Sequence, residues 1–293
     1  MAAFPSLMTA MITPFTAEGA VDIEAAARIA SFLVDQGSEG IVVTGTTGES
    51  ATMSLNETEL MWRCVTDTVG DRATVIAGVG VNDTAESVRR TVIAEQAGVH
   101  GVMAVAPYYI KPSQVGLVRH FTTIAASTEL PVLLYDIPGR TAVEIAKESL
   151  LDLADIPNIV GVKDAVGNIA KATWLIKRAP EGFDVWSGDD SALLPWLSLG
   201  AVGIVSVASH IVAPQLRELI TVFPTNPARA TALHMQLSDV FSILFKEPNP
   251  APVKAALHEL GYCLDVLRSP MLPVSDETRA DIIAAMRALD LLK

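Results

Sequence analysis

The chain has 293 residues, half of them hydrophobic and 18% charged, a balance that excludes a disordered chain and supplies apolar surface for one large core. The formal net charge of −12 comes without any lysine or arginine cluster, which argues against a nucleic-acid or anionic-membrane surface. Cys64 and Cys263 lie far apart without CxxC or metal-type spacing, no apolar stretch reaches membrane-spanning length, and no basic leader precedes Phe15. A cytoplasmic protein without disulfides or zinc is therefore expected.

Short β-branched runs recur at a spacing of roughly 20 to 30 residues, each followed by a helical pattern, as repeated βα units require. They span 7–12, 40–44, 74–79, 101–106, 132–137, 159–163, 185–187 and 203–207, about eight in all, the number that closes a parallel barrel. Helix starts fall at Asp22, at Asn56 and at Asp83 or Thr84, and Gly37, Gly70 and Gly98 sit where those helices should stop. From residue 213 the pattern is helical only, over 214–222, 227–245, 251–260 and 276–292. These patterns specify an α/β fold, with residues 1–225 as a (β/α)8 barrel and 226–293 as a C-terminal helical extension.

Chemistry in such barrels gathers where the strands end. After the second run, Gly45-Thr46-Thr47-Gly48-Glu49-Ser50 combines a tight turn with hydroxyl donors, suited to a carboxylate, although such a turn also serves to cap a helix. Glu49 and Ser50 are expected to make structural hydrogen bonds. Gly78-Val79-Gly80-Val81-Asn82-Asp83 lacks the third glycine of a dinucleotide fingerprint and is better explained as a turn with an N-cap. The adjacent Tyr108 and Tyr109 point in different directions, so one can face a site while the other packs or crosses a subunit boundary; prolines on both sides also suit a rigid loop. Tyr135 ends the fifth run, beside the sixth in a barrel, where a phenol could move protons or serve as a capped core residue. Arg140, on the loop beyond, is free to clamp a carboxylate or to form a surface ion pair.

The sixth run, Ile159-Val160-Gly161-Val162-Lys163-Asp164, ends on a lysine. Strict alternation puts Lys163 on the face of Ile159 and Gly161, with Val160 and Val162 opposite. An ordinary lysine, of pKa near 10.4, is only ~0.1% unprotonated at pH 7, and burial among apolar neighbours lowers that pKa. Lys163 is thus a candidate Schiff-base nucleophile, set against a strand-end lysine that snorkels to water. Asp189 and Asp190 after the seventh run suit an N-cap better than a metal, and none of the five histidines pairs at ligand spacing.

Taken together in colinear order, Gly45–Ser50, Pro107-Tyr108-Tyr109, 135–141, Gly161-Val162-Lys163-Asp164, 187–190 and Asn249-Pro250-Ala251-Pro252-Val253-Lys254 resemble the dihydrodipicolinate synthase and N-acetylneuraminate lyase family of class I aldolases. The resemblance implies a TIM barrel with a C-terminal helical extension and an imine between pyruvate and Lys163, without cofactor or metal. Tyr135 would shuttle protons, with Thr46 and Tyr109 completing a relay and Tyr109 reaching in from a neighbouring subunit of a homo-oligomer, dimer or tetramer. Thr46 and Thr47 would hold the pyruvate carboxylate, and Gly188 and the backbone carbonyl of Val205 would line the second-substrate side. Arg140 resembles the synthase branch, in which it binds the carboxylate of aspartate 4-semialdehyde on the way to lysine and diaminopimelate. The alternatives are an aldolase acting on a sugar acid or hydroxy-keto acid, and a silent barrel used for sensing or assembly. Asp136 stands where the synthases usually carry asparagine. Leu55 and Thr58 replace histidines beside Asn82, Glu86 and Tyr108, which points to weak or absent feedback by lysine.

Overall fold

The computed structural model describes residues 2–292. Its strands β1 (Leu7–Ala10), β2 (Gly40–Val43), β3 (Thr74–Gly78), β4 (Gly101–Val105), β5 (Val132–Asp136), β6 (Ile159–Asp164), β7 (Asp184–Ser187) and β8 (Gly203–Ser206) close a parallel barrel in sequence order. Alternation along each strand divides the core in two. Met8, Val42, Ile76, Met103, Leu133, Trp186 and Val205 fill the barrel, while Leu7, Ile41, Val75, Val102, Leu134 and Ile204 pack outward under the helices. Phe4 plugs the N-terminal end against Trp186, whose indole N–H donates to the Pro5 carbonyl at 2.9 Å.

The outer ring begins with α1 (Ile23–Asp35), α2 (Leu55–Val69), α3 (Thr84–Gln96) and α4 (Gln114–Ala125), and continues with α5 (Pro138–Thr141), α6 (Lys147–Ala154), α7 (Ile169–Ile176) and α8 (Leu193–Leu199). Asp22 and Asp83 cap α1 and α3 as expected. The second helix starts earlier than Asn56, because Ser54 and Glu57 form a reciprocal capping box that satisfies two end groups at once. The chain ends in α9 (Ser209–Val222), α10 (Pro227–Ile243), α11 (Ala251–Glu259) and α12 (Asp276–Ala288). Pro214, which has no N–H to give, accompanies a kink at Val212 in α9.

One strand departs from simple alternation. Val132 of β5 pairs with Ile159 and Leu133 with Gly161, so β6 carries one extra residue, Val160. Ile159 and Val162 face outward, whereas Val160 joins the barrel interior, and the parity beyond the bulge is reversed. Lys163 therefore shares its side of the sheet with Val160 and not with Ile159, a correction to strict period-2 counting. Glycine is required at the bulge: a Cβ on Gly161 would lie 2.1 Å from the Asp184 carbonyl oxygen and 2.7 Å from the Trp186 ring.

Candidate active site

Lys163 and Tyr135 are register partners on β6 and β5, and both are buried. The amine Nζ sits 4.1 Å from the centre of the phenol ring. Burial pulls the Lys163 amine down to about 7; the Asp190 carboxylate opposes that shift and the Arg140 guanidinium adds to it. A large fraction of the amine is thus uncharged at neutral pH. Burial pushes the Tyr135 phenol up, with Arg140 opposing, so the phenol keeps its proton. Room for the lysine stem comes from Gly188, where a Cβ would lie 3.2 Å from Lys163 Cε and 2.9 Å from the Ala165 methyl.

The N-cap expected of the two adjacent acids belongs to one of them alone. Asp189 takes that role by accepting from the Ser191 N–H at 2.8 Å. Asp190 turns inward, where it accepts from the Ser206 hydroxyl and from the backbone N–H groups of Val207 and Ala208 at 3.1 and 3.0 Å, just ahead of α9. A buried carboxylate is tolerated there because three donors and a helix start surround it.

Above the barrel lies a cavity of about 350 Å³ whose walls include Thr46, Tyr135, Arg140 and Asn249. The Gly45–Gly48 turn is bracketed by two left-handed residues, Thr44 (φ 55°) and Glu49 (φ 54°). A β-branched residue resists that conformation, so the surroundings must hold it. Trp62 donates its indole N–H to the Thr44 hydroxyl at 2.7 Å, and Thr13 donates to the Gly48 carbonyl at 2.7 Å. Glu49 makes the structural bonds expected of it. It pairs with Lys254 Nζ at 2.5 Å and accepts from the Arg268 N–H at 3.1 Å, which ties the turn to the C-terminal extension. Ser50 lies on the cavity wall.

Asp136 is fully buried on the outer side of β5, where Lys171 Nζ approaches it to 2.7 Å. Burial raises its carboxyl to about 6 against the opposing pull of Lys171. Asp136 also accepts from the Ile145 N–H, and Lys171 donates to the Ile145 carbonyl and to Glu144, so the segment after α5 is fastened beside Arg140.

Lys163, Tyr135 and Gly188 thus meet at the centre, with Thr46 and Arg140 on the walls above. Val205 lies inside the barrel on β8. Thr47 is buried, and its hydroxyl accepts from Asn249 Nδ2 at 2.9 Å. Tyr109 stands apart: it is 86% exposed on the loop after β4, with φ 74°. Asn249, Trp62 and Thr44 carried no local signal of a role, because the contacts that involve them span from 18 to 202 positions. Among the described residues, no cluster of acids, histidines and cysteines suits a metal, and no helix is long and apolar enough to cross a membrane.

A closed parallel barrel with a buried amine, a phenol and a hydroxyl-bearing turn at the C-terminal ends of its strands defines a barrel enzyme built for chemistry on a carbonyl. The chain belongs to the dihydrodipicolinate synthetase family, whose model matches residues 3–289. It is 50% identical over 281 residues to the 4-hydroxy-tetrahydrodipicolinate synthase of Symbiobacterium thermophilum, a match covering 94% of this chain and 95% of that one. Among solved structures, it resembles dihydrodipicolinate synthase from Bacillus anthracis with a TM-score of 0.95 at 42% identity, covering 98% of this chain and 99% of the other. The enzyme from Cyanidioschyzon merolae, solved with lysine bound, gives a TM-score of 0.98 at 39% identity over the full length of both chains.

Proposed function

We propose that this chain is a lyase that condenses pyruvate with L-aspartate 4-semialdehyde to 4-hydroxy-tetrahydrodipicolinate, in the route to diaminopimelate and lysine. The observation that carries this reading is the buried Lys163 amine, held near neutrality at about 7 and facing Tyr135. The uncharged amine attacks the keto carbon of pyruvate, and water leaves to give an iminium. The iminium draws electrons from the methyl carbon, which loses a proton to form an enamine. That carbon then attacks the aldehyde, forming the new C–C bond, and the aldehyde oxygen takes up a proton; the amino group of the semialdehyde next attacks the imine carbon and displaces Lys163, which closes the ring and frees the amine. Lys163 supplies the electron sink itself, so the cycle calls for no cofactor.

Tyr135, with its proton held in place by burial, is the shuttle for these transfers, and Thr46 continues the relay towards Tyr109. The exposure of Tyr109 supports its insertion into a neighbouring copy, in a cytoplasmic homo-oligomer of two or four chains. Thr46 and Thr47 hold the pyruvate carboxylate, Arg140 takes the carboxylate of the aldehyde, and Gly188 with the Val205 carbonyl lines that side. Arg140 favours a small carboxylated aldehyde over a polyol, which would call for more hydroxyls and amides. Glu86, already paired with Arg90 at 2.9 Å and Arg89 at 3.4 Å, supports weak or absent inhibition by lysine.

Borohydride added in the presence of pyruvate tests the site. A stable adduct on Lys163 is expected, and an adduct on Lys254 or none at all would overturn the assignment.

A further inference from the structure

Asn249 stands at the junction between the barrel and α11. A residue just ahead of a helix ordinarily turns its side chain back to the first free N–H groups of that helix. Asn249 does not: Pro250 occupies the cap position of α11 and no side chain caps it. The amide instead crosses to the Gly45–Gly48 turn, where Nδ2 donates to the Thr47 hydroxyl at 2.9 Å, a contact between residues 202 positions apart. The Asn249 backbone carbonyl accepts from Arg140 Nη2 at 3.3 Å. One residue of the C-terminal extension therefore touches both the hydroxyl-bearing turn and Arg140, each of which contributes to the cavity wall.

The direction of the first bond matters. A threonine hydroxyl has one proton to give and two lone pairs to offer. Because Thr47 accepts from Asn249, its oxygen is fixed by an incoming N–H while its own proton stays available for an anion. Asn249 is 7% exposed and its Oδ1 is buried without a hydrogen-bond partner, so the amide does not maximise its own bonding. An amide kept on those terms serves the group it donates to.

We propose that Asn249 is a positioning residue for the first substrate: it sets the Thr47 hydroxyl so that the hydroxyl proton meets the carboxylate of the keto acid. The proposal rests on the reading of this cavity as the pyruvate site. The Arg140 contact is made by the backbone, so a side-chain substitution leaves that arm in place and bears on the keto-acid arm alone.

The test is a double-mutant cycle with Asn249→Leu, which keeps the volume and removes the donor, and Thr47→Val, which removes the hydroxyl. Asn249→Leu should raise the KM for pyruvate about tenfold, the worth of one hydrogen bond to a charged ligand. Its kcat and its KM for the aldehyde should each change by less than about threefold, roughly 0.6 kcal/mol, because the Arg140 arm is intact. In the Thr47→Val background the same substitution should add nothing further to the pyruvate KM. Equal losses in both backgrounds, or a fall in kcat without the KM split, would overturn the proposal and leave Asn249 a packing residue. Thr47→Val alone checks the underlying reading: an unchanged pyruvate KM there would sink the carboxylate site itself, and the proposal with it. Should the leucine variant not fold, Asn249→Ala carries the same expectations.

Discussion

Lys163→Met offers the sharpest check on the buried amine, because it separates what the lysine does for chemistry from what it costs the fold. Methionine is of similar length and flexible enough to fill the same space without charge. In the unfolded chain the lysine holds its proton up to about its ordinary 10.5, whereas in the folded protein it does so only up to about 7. Between those values the unfolded state binds more protons, so the wild-type protein gains stability as pH rises. At pH 7 and below, the penalty for burying the amine is present almost in full, and the gap corresponds to roughly 4 kcal/mol. Lys163→Met should therefore be more stable than wild type by about 2–4 kcal/mol at pH 7, with the difference shrinking below about 1 kcal/mol by pH 10. Urea unfolding of both proteins across pH 6 to 10, under conditions where refolding is complete, measures this directly, and taking the difference cancels every other titrating group. The variant should also lose all borohydride trapping with pyruvate. A stability gap that stays constant with pH, or a methionine variant weaker than wild type at pH 7, would refute the reasoning.

Arg140→Ala should lower kcat/KM for aspartate semialdehyde roughly 10- to 100-fold, the worth of a hydrogen bond to a charged group, while the rate of trapping on Lys163 with pyruvate changes little. Equal loss of both would make the arginine a structural element. Lys254→Met should destabilise the protein by about 3–5 kcal/mol, because it strands the buried Glu49 carboxylate, and a second change, Glu49→Gln, should recover most of that loss in thermal melts. His210 lies fully buried, donating from Nδ1 to the Val207 carbonyl and accepting at Nε2 from the Ile12 N–H, and burial lowers it to about 4. Its unfolded form takes a proton near 6.5, so stability should fall by roughly 3 kcal/mol as pH drops from 6.5 to 4. His210→Gln should flatten that slope, and an unaltered slope would remove His210 from the account.

Much of this architecture is legible in the residues. The β-branched runs mark all eight strands to within two residues at each end, because side chains buried on both faces leave continuous apolar stretches bounded by turns. The ends of the runs also place Thr46, Tyr135, Arg140 and Lys163 at the mouth, since parallel closure brings every strand end to one side. Strict alternation fails at Val160, where a bulge depends on the fit of Gly161 against Trp186, a partner 25 positions away. The roles of Asp190, Lys254 and Asn249 are hidden for the same reason. Each is decided by a partner far along the chain, and nothing in the neighbouring residues records which one. Asp136 reads from the sequence as a strand-end acid, and only Lys171, 35 positions away, explains why a buried carboxylate is tolerated there.

The bulge that absorbs Val160 in β6 fixes which functional group the barrel presents to its substrates. Were Val160 paired in the ladder without that bulge, strict alternation from Ile159 would turn Lys163 out beneath the helices and swing Asp164 into the centre. An acid would then occupy the place of the nucleophile, inside a fold whose hydrophobic layers were otherwise undisturbed. A change at Gly161 that abolished the bulge could thus silence this enzyme without touching any residue that meets the substrates, and its product would fold around the wrong chemistry.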